Sequence, residues 1–170
     1  ADSTFYCPGY RMVEGWPQPI KCWYYPRAHG TQNLYQAIQN SCNPAFIDIG
    51  QAVGAKTFLE YYKAFGLNEA TGIDLPGEGE SIFHSEERFL SNKVDLATAS
   101  FGQNFQISPI QLITAVSAVA NGGNLMKPYI VKEILDSDGN IVKSAEPTVV
   151  RQVISEETSE LMCDILETVV

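Results

Sequence analysis

The chain has 170 residues, of which 45% are hydrophobic, and its formal net charge is −9 because 20 acidic residues outnumber 11 basic ones. This length and composition suit a soluble globular domain with a substantial core. The negative charge argues against nucleic acid as a partner and against adsorption to an anionic membrane surface, since both need clustered cations. No apolar run reaches the length of a membrane span, and no signal peptide is recognisable. Because the chain begins at Ala1, we expect a processed product or a piece of a longer protein.

The first third of the chain changes from irregular to helical. Residues 1–30 are rich in aromatic residues, Pro and Gly, which predicts extended segments joined by turns. Residues 31–66 carry apolar residues at helical spacing and predict three helices. The second of these helices begins at Pro44 and is closed by Gly54, and the third ends at Gly66.

The middle of the chain contains its clearest helix. Residues 67–107 predict loops and short helices, with the turn-rich stretch "TGIDLPGEGE" at the surface. In "SPIQLITAVSAVANGG", Ser108 is a natural N-cap, Pro109 the first helical residue and Gly122 the stop. The body of this helix is apolar on nearly every side, which predicts that it is buried.

The last third predicts a hairpin and a final helix. Residues 128–143 contain two strand-like runs around an Asp-Gly turn, which predicts a β-hairpin. Residues 155–170 predict an amphipathic helix, with Cys163 as a small residue on its inner face. We see no repeat or linker and expect one cooperative unit, within which residues 31–122 form a helical subdomain.

The stretch "NSCNPAF" raises the first functional question. It places Ser41 and Asn43 on either side of Cys42 at the joint between two predicted helices. Small polar residues at such a joint cap a helix or face a substrate. On this stretch alone, capping of the helix that begins at Pro44 is the simpler interpretation.

Other catalytic patterns carry little signal. The two histidines are not near a serine in sequence, and no glycine-rich phosphate loop is present. Adjacent carboxylates such as Glu86 and Glu87 do not face each other on a helix and are expected to be solvated. His84, which lies among charged residues, is also expected in solvent.

Three ordered blocks carry a family resemblance through nearly the whole chain. The blocks are "NSCNPAF", "TGIDLPGE" and "DLATASFGQ" followed by "ISPIQLITAVSAVANGG". Together they strongly resemble the transpeptidase domain of class B penicillin-binding proteins, in particular the cell-division and sporulation-specific forms of Gram-positive bacteria. The resemblance implies an α+β fold of the penicillin-recognising serine transpeptidase and β-lactamase-like type. Here that fold would be incomplete, consisting mostly of the helical subdomain and a hairpin.

The resemblance also implies a role for the Ser-x-Asn triplet. The family uses a serine nucleophile in a Ser-x-x-Lys motif, a Ser-x-Asn motif and a Lys-Thr-Gly motif on a strand. By resemblance, Ser41 relays a proton, because a hydroxyl both donates and accepts. Asn43 would hold the substrate amide and the catalytic lysine, so both residues are catalytic and substrate-binding candidates. Cys42 should point away from them, toward the helix packing.

Two of the three motifs are missing. No serine is followed by lysine three positions later, and Lys56-Thr57 is followed by Phe58 inside a predicted helix. We therefore expect an internal fragment that is inactive alone and belongs to an active serine-type D,D-transpeptidase. With part of the sheet absent, we also expect marginal stability or self-association.

Two cysteines and a histidine in the irregular N-terminal stretch predict a metal site. Cys7, Cys22 and His29 offer two thiolates and an imidazole, which Zn²⁺ binds tetrahedrally. Asp2 is the nearest fourth ligand, with Glu14 or a water as substitutes. A Cys-Trp…His-Gly stretch also occurs here in the related sporulation-type proteins.

Alternatives to zinc remain open at this stage. Cys7 and Cys22 could instead form a disulfide in an oxidising compartment, or stay as free thiols. If zinc binds, a closed four-ligand site would be structural and would staple a loop-rich segment without activating water.

The resemblance implies a parent enzyme that cross-links peptidoglycan stem peptides through an acyl-serine and is acylated by β-lactams. We expect it on the extracytoplasmic face of the bacterial membrane, anchored by a segment outside this chain. Septal or spore-envelope synthesis proteins are its expected partners. Two alternatives remain: a β-lactam sensor domain, and a non-catalytic zinc-stapled module that recognises peptidoglycan or a septal partner.

Overall fold

The computed structural model describes residues 3–169 and divides them into two compact units. The first contains the described residues of 1–61, 83–105 and 161–170, and the second contains residues 62–82 and 106–160. The chain thus leaves the first unit twice and returns to it twice. Nothing in the composition marks the points at which the chain passes between the units, and the expectation of one cooperative unit stays a prediction.

The secondary structure is α+β, as the sequence predicted. The helices are α1 (Leu34–Gln39), α2 (Asn43–Val53), α3 (Ala55–Ala64), α4 (Glu86–Ser91), α5 (Lys93–Ala99), α6 (Pro109–Ala120) and α7 (Glu156–Glu167). The strands are β1 (Thr4–Cys7), β2 (Tyr10–Arg11), β3 (Ile20–Lys21), β4 (Gly30–Asn33), β5 (Asn124–Met126), β6 (Glu133–Leu135), β7 (Ile141–Ser144) and β8 (Val149–Gln152). They pair antiparallel in two-stranded sheets, β1 with β4, β2 with β3, β5 with β8 and β6 with β7. No helix within residues 3–169 is long and apolar enough to cross a membrane.

Two small ladders organise the N-terminal segment of the first unit. β1 pairs with β4 from Thr4↔Asn33 to Cys7↔Gly30, and β2 pairs with β3 through Tyr10↔Lys21. The predicted extended segments are therefore confirmed. The pairing also brings the ends of β1, β3 and β4 close together, although long turns separate them in sequence.

Helix α2 packs closely on α5 in the first unit. A Cβ added to Gly50 would lie 1.7 Å from the Ser100 Oγ, so only glycine fits at this contact. In the same unit, Phe89 is fully buried against Phe83 and Phe58, with ring centroids 4.9 and 5.6 Å apart. The Gly50 contact positions α2, whose first residue, Asn43, belongs to the Ser-x-Asn triplet.

A buried carboxylate joins α4 and α5. The Asp95 side chain is 3% exposed, accepts hydrogen bonds from Arg88 Nε and Asn104 Nδ2 at 2.9 Å each, and lies 3.6 Å from His84 Nε2. The expectation that His84 lies in solvent is wrong, since its side chain is only 20% exposed. The charged residues next to His84 in sequence do not predict its contact with Asp95, which lies in α5.

Helix α6 in the second unit begins as predicted. Ser108 and Gln111 form a capping box, in which each side chain bonds the backbone N–H of the other residue. The prediction of burial is wrong for much of this helix. Leu112, Ile113 and Val116 are 52%, 56% and 50% exposed among the described residues. An apolar composition predicts that a face can be buried, but it does not supply the surface that would cover it.

The predicted hairpin is confirmed with a small shift. Strands β6 and β7 pair around the turn at Asp136–Asn140; β6 begins at Glu133 and not at the predicted boundary of 128, and β7 extends to Ser144 and not to 143. The loop "TGIDLPGE" is held against the segment before the hairpin. The Asp74 carboxylate accepts hydrogen bonds from the backbone N–H of Ile130 at 2.8 Å and of Val131 at 2.9 Å.

The Phe89 packing predicts a large and local stability cost. Phe89→Ala should lower the free energy of unfolding by about 3–5 kcal/mol, because it removes a fully buried ring. Leu90→Ala is the matched control, since Leu90 is the next residue in α4 and is 45% exposed. It should cost no more than about 1 kcal/mol in urea unfolding followed by circular dichroism. Equal costs for the two variants would contradict the assigned core.

The Asp74 contacts predict a coupled titration. Hydrogen bonds from the N–H groups of Ile130 and Val131 favour the carboxylate and lower the pKa of Asp74 below its usual 3.8. Because the folded-state pKa is depressed, this stabilisation is present above the usual pKa and is lost as pH falls through the folded pKa. In NMR titrations, both amide protons should shift with a midpoint below 3.8, and this response should vanish in Asp74→Asn. A midpoint at or above that value would contradict the arrangement.

Candidate functional site

Ser41 lies in the turn between α1 and α2 with an unusual backbone conformation. Its φ is +46°, in the left-handed region that non-glycine residues rarely adopt. Its N–H donates to the Ile38 carbonyl at 2.9 Å, and its side chain is exposed. The turn therefore presents the Ser41 hydroxyl to solvent at some cost in backbone strain.

The structure does not support capping as the reason for these polar residues. The N-cap of α2 is Cys42, and its side chain makes no capping hydrogen bond. Asn43 is the first residue of α2 and is half-buried. Its Nδ2 donates to the Lys21 carbonyl at 3.1 Å, so it contacts the N-terminal segment and does not cap the helix.

A second side chain ties the other end of the turn to the same segment. Trp23 Nε1 donates to the Asn40 carbonyl at 2.8 Å, and the Asn40 side chain donates to Gln32 Oε1, also at 2.8 Å. Lys21 and Trp23 flank Cys22 in sequence. The Ser-x-Asn turn is thus attached to the N-terminal segment on both sides of one cysteine.

Three thiols and an imidazole converge beside this turn. We call this set the Cys–His cluster; it consists of Cys7, Cys22, His29 and Cys42. Their ligand atoms all lie within 4.8 Å of one another, and Cys22 Sγ is 3.5 Å from His29 Nδ1. The three cysteines are buried free thiols, and His29 is half-buried.

The fourth member differs from the one expected. Asp2 lies outside the described residues, and the substitute Glu14 forms an ion pair with Lys93. Cys42 is fully buried, as the sequence suggested, but it lies in the cluster with Cys7 and not only against helices. Sequence analysis missed it because it belongs to a motif whose two outer residues already had a role.

The environment of the cluster affects its ionisation. Burial raises the pKa of Cys7, but N–H groups of His29 and Gly9 donate to its sulfur and bring the pKa below its usual value. Burial raises the pKa of Cys42 to about 12, against a hydrogen bond from the Ala45 N–H. Burial also lowers the pKa of His29, which favours the neutral imidazole.

Aromatic rings cover the imidazole on its outer side. The Tyr24 ring stacks on His29 with a centroid distance of 5.0 Å and an interplanar angle of 14°. Trp23 lies 5.6 Å from the same ring. Gly9 permits the tight turn that follows Cys7, because its φ is +94° and an added Cβ would lie 2.8 Å from the Arg27 carbonyl oxygen.

Other candidate residues lie apart from this region. Cys163 in α7 is half-buried and is not a member of the Cys–His cluster. Lys56 and Thr57 lie in α3, as expected, and not on a strand.

Comparisons with known proteins agree with this description. The family described as the penicillin-binding protein transpeptidase domain matches residues 1–170. Stage V sporulation protein D of Bacillus subtilis is 43% identical over 169 residues, which are 99% of this chain and 25% of that protein. The chain thus spans about a quarter of the length of this curated relative.

Solved structures show the same fold. The D,D-transpeptidase domain of a peptidoglycan glycosyltransferase from Eggerthella lenta matches with a TM-score of 0.85 and 26% identity, over 99% of this chain and 43% of that one. Penicillin-binding protein A from Mycobacterium tuberculosis, in its ceftriaxone acyl-enzyme complex, matches with a TM-score of 0.85 and 21% identity, over 98% of this chain and 37% of that one. The resemblance of the three sequence blocks is confirmed, and the chain belongs to the family of penicillin-binding protein transpeptidase domains.

Proposed function

We propose that this chain is part of a serine-type D,D-transpeptidase that cross-links peptidoglycan stem peptides. Family membership across residues 1–170 supports the activity. The observation that carries the site assignment is the exposed Ser41 hydroxyl, held in a strained turn that serves no capping function. Strain of this kind persists where the surrounding structure enforces it, and it concentrates at functional sites.

The reaction is acyl transfer in two steps. In the first, a serine oxygen elsewhere in the parent attacks the carbonyl carbon of the penultimate D-Ala. The bond to the terminal D-Ala breaks, and the proton from the serine leaves with the amine of that residue. In the second, an amine of a neighbouring strand attacks the acyl-serine, and its proton returns to the serine oxygen. β-Lactams acylate the same serine, and hydrolysis of their product is slow.

Ser41 and Asn43 act on proton transfer and substrate position. The Ser41 hydroxyl accepts a proton from one partner as it donates its own to the next, so it connects the catalytic lysine with the leaving amine. A primary amide has two N–H donors and a carbonyl oxygen. After the bond from Asn43 to Lys21, it can still donate to a substrate carbonyl and accept from a lysine ammonium.

The parent acts on the extracytoplasmic face of the membrane, anchored by a segment outside this chain. There it works with septal or spore-envelope synthesis proteins. The 43% identity to a sporulation protein favours the spore-envelope setting. The chain alone is inactive, because none of its serines is followed by lysine three positions later. A fluorescent penicillin should therefore leave the isolated chain unlabelled and label the parent.

The relay role predicts a loss of activity that is separate from folding. In the full-length parent, Ser41→Ala should slow acylation by a fluorescent penicillin by about 10²–10⁴-fold, the range for loss of a proton-transfer group. Ser137→Ala removes an exposed hydroxyl in the hairpin turn and should leave the rate unchanged. An unchanged rate in Ser41→Ala would overturn the relay.

The left-handed backbone of Ser41 adds a second prediction. Ser41→Gly removes the same hydroxyl but relieves the positive φ, so it should raise the free energy of unfolding by up to about 1 kcal/mol. The parent should nevertheless lose activity as it does with alanine. Retained turnover in this variant would show that the hydroxyl is dispensable.

A further inference from the structure

A groove in the first unit takes no part in the proposed acyl transfer. Its walls come from two stretches of the chain, residues 15–20 before and within β3 and residues 88–104 around α5. Its volume is about 660 Å³, which falls within the roughly 300–1,000 Å³ that is usual for small-molecule sites. We call it the Trp16 groove; it is defined by Trp16, Ile20, Arg88, Asp95, Phe101 and Asn104.

Part of the Trp16 groove is apolar. Ile20 and Phe101 are half-buried and pack against the buried cluster that contains Ile47. Trp16 adds a large ring that remains 49% exposed. A half-exposed indole beside an apolar floor can receive a flat ligand on its face and offer its N–H group at the edge.

The groove also presents planar polar groups that one buried carboxylate holds in place. Asp95 is 3% exposed and accepts hydrogen bonds from Arg88 Nε at 2.9 Å, from Arg88 Nη2 at 3.4 Å and from Asn104 Nδ2 at 2.9 Å. A guanidinium has five N–H donors, and the carboxylate takes two of them, so the others can bond a ligand. The amide oxygen of Asn104 and the exposed amide of Gln103 add further polar atoms. Because Asp95 fixes Arg88 and Asn104, a ligand meets groups that are already ordered.

The charge of the groove favours a neutral ligand. Arg88 and Asp95 are the only charged residues that line it in the described chain, and they pair with each other. An anionic stem peptide would therefore find no unpaired cation there, in a chain whose net charge is −9. A pyranose ring fits better, since it has an apolar C–H face for the indole and hydroxyl and acetamido groups that donate and accept at its edge. We propose that the Trp16 groove binds N-acetylated sugars of the peptidoglycan glycan strand, an assignment that rests on the proposed function for the identity of the polymer.

A neighbouring cavity gives room for more than one ring. It shares Arg88 and Asn92 with the groove and has a volume of about 770 Å³. Glu14 and Lys93 line it as an ion pair. Because the depression continues past Arg88, it suits a chain of linked sugars better than a free monosaccharide.

The groove is supported by the helix that carries Asn43. Ile47, whose cluster packs against Ile20 and Phe101, lies about one helical turn after Asn43 in α2. The stem peptides are attached to the glycan, so a sugar bound here sets where a peptide begins relative to α2. The role of the groove is therefore to position polymeric substrate, and its residues take no part in proton transfer.

NMR of the isolated chain tests the groove with a neutral probe. The chain contains two tryptophans, so its indole N–H groups give two separate resonances. Tetra-N-acetylchitotetraose, an oligomer of linked N-acetylglucosamine units, should shift the Trp16 resonance in a saturable manner. The Trp23 resonance should not move, because that indole donates to the Asn40 carbonyl at 2.8 Å. Loss of one signal in Trp16→Phe assigns the two resonances.

Substitutions separate the aromatic platform from general effects, with affinity followed through the Gln103 backbone amide. Trp16→Ala should weaken binding of the oligosaccharide by about ten-fold or more, because aromatic anchors dominate the energetics of such contacts. Tyr61→Ala is the matched control and should leave the affinity unchanged. Tyr61 is also 49% exposed in the first unit, but it does not line the groove. Trp16→Phe keeps an aromatic ring and should retain most of the affinity, which guards against a simple folding failure in the alanine variant.

Several results would contradict the glycan assignment. An unmoved Trp16 indole, equal shifts of both indoles, or equal losses of affinity in Trp16→Ala and Tyr61→Ala would each overturn it. A pentapeptide that ends in D-Ala-D-Ala is the competing probe, and a Trp16 shift with this peptide alone would assign the groove to the stem peptide instead. The full-length parent should bind the same oligosaccharide, and absence of binding there would show that the groove is covered. Failure of the proposed function would appear separately, as a parent that fluorescent penicillin does not label.

Discussion

The attachment of the Ser-x-Asn turn to the N-terminal segment is the constraint on which the rest of the site depends. Ser41 has a positive φ, a conformation that is strained for a residue with a side chain. Its neighbours are instead fixed by distant groups, Asn43 by the Lys21 carbonyl and Asn40 by the Trp23 indole. Because each tie spans about twenty residues, the turn is held by tertiary structure and not by helix propensity.

This arrangement explains why the irregular N-terminal segment is needed. The buried core of this segment consists of cysteine and alanine, with Phe5 and Tyr24 packed against it, so the fully buried apolar area is small. Three sulfurs and one imidazole converge at one point, where β1, β3, β4 and α2 each have an end.

Much of the fold could be predicted, and the failures have a common physical origin. Local signals predicted the start of α6 from Ser108, and the Asp-Gly turn between two strand-like runs predicted the hairpin. The burial of α6, the environment of His84 and the position of Cys42 could not be predicted. Each depends on which residues from distant parts of the sequence pack against it in the folded chain. Cys7, Cys22 and His29 were predicted as a group only because they share one stretch of sequence. Cys42 lies beside them because β1 pairs with β4 and the start of α2 packs against these strands. The spacing of these residues in the sequence does not reveal that contact.

The side chains of the Ser-Cys-Asn triplet therefore have two different environments. Ser41 is exposed and Asn43 half-buried, while Cys42 between them is fully buried. A left-handed residue followed by an extended one turns successive side chains to opposite sides, so the outer positions can meet a substrate while the middle one anchors the chain. A motif written Ser-x-Asn hides this, because it treats the middle residue as arbitrary. In this chain the middle residue, Cys42, belongs to the Cys–His cluster, so the exposed Ser41 and the buried cluster are joined directly through the backbone at this position.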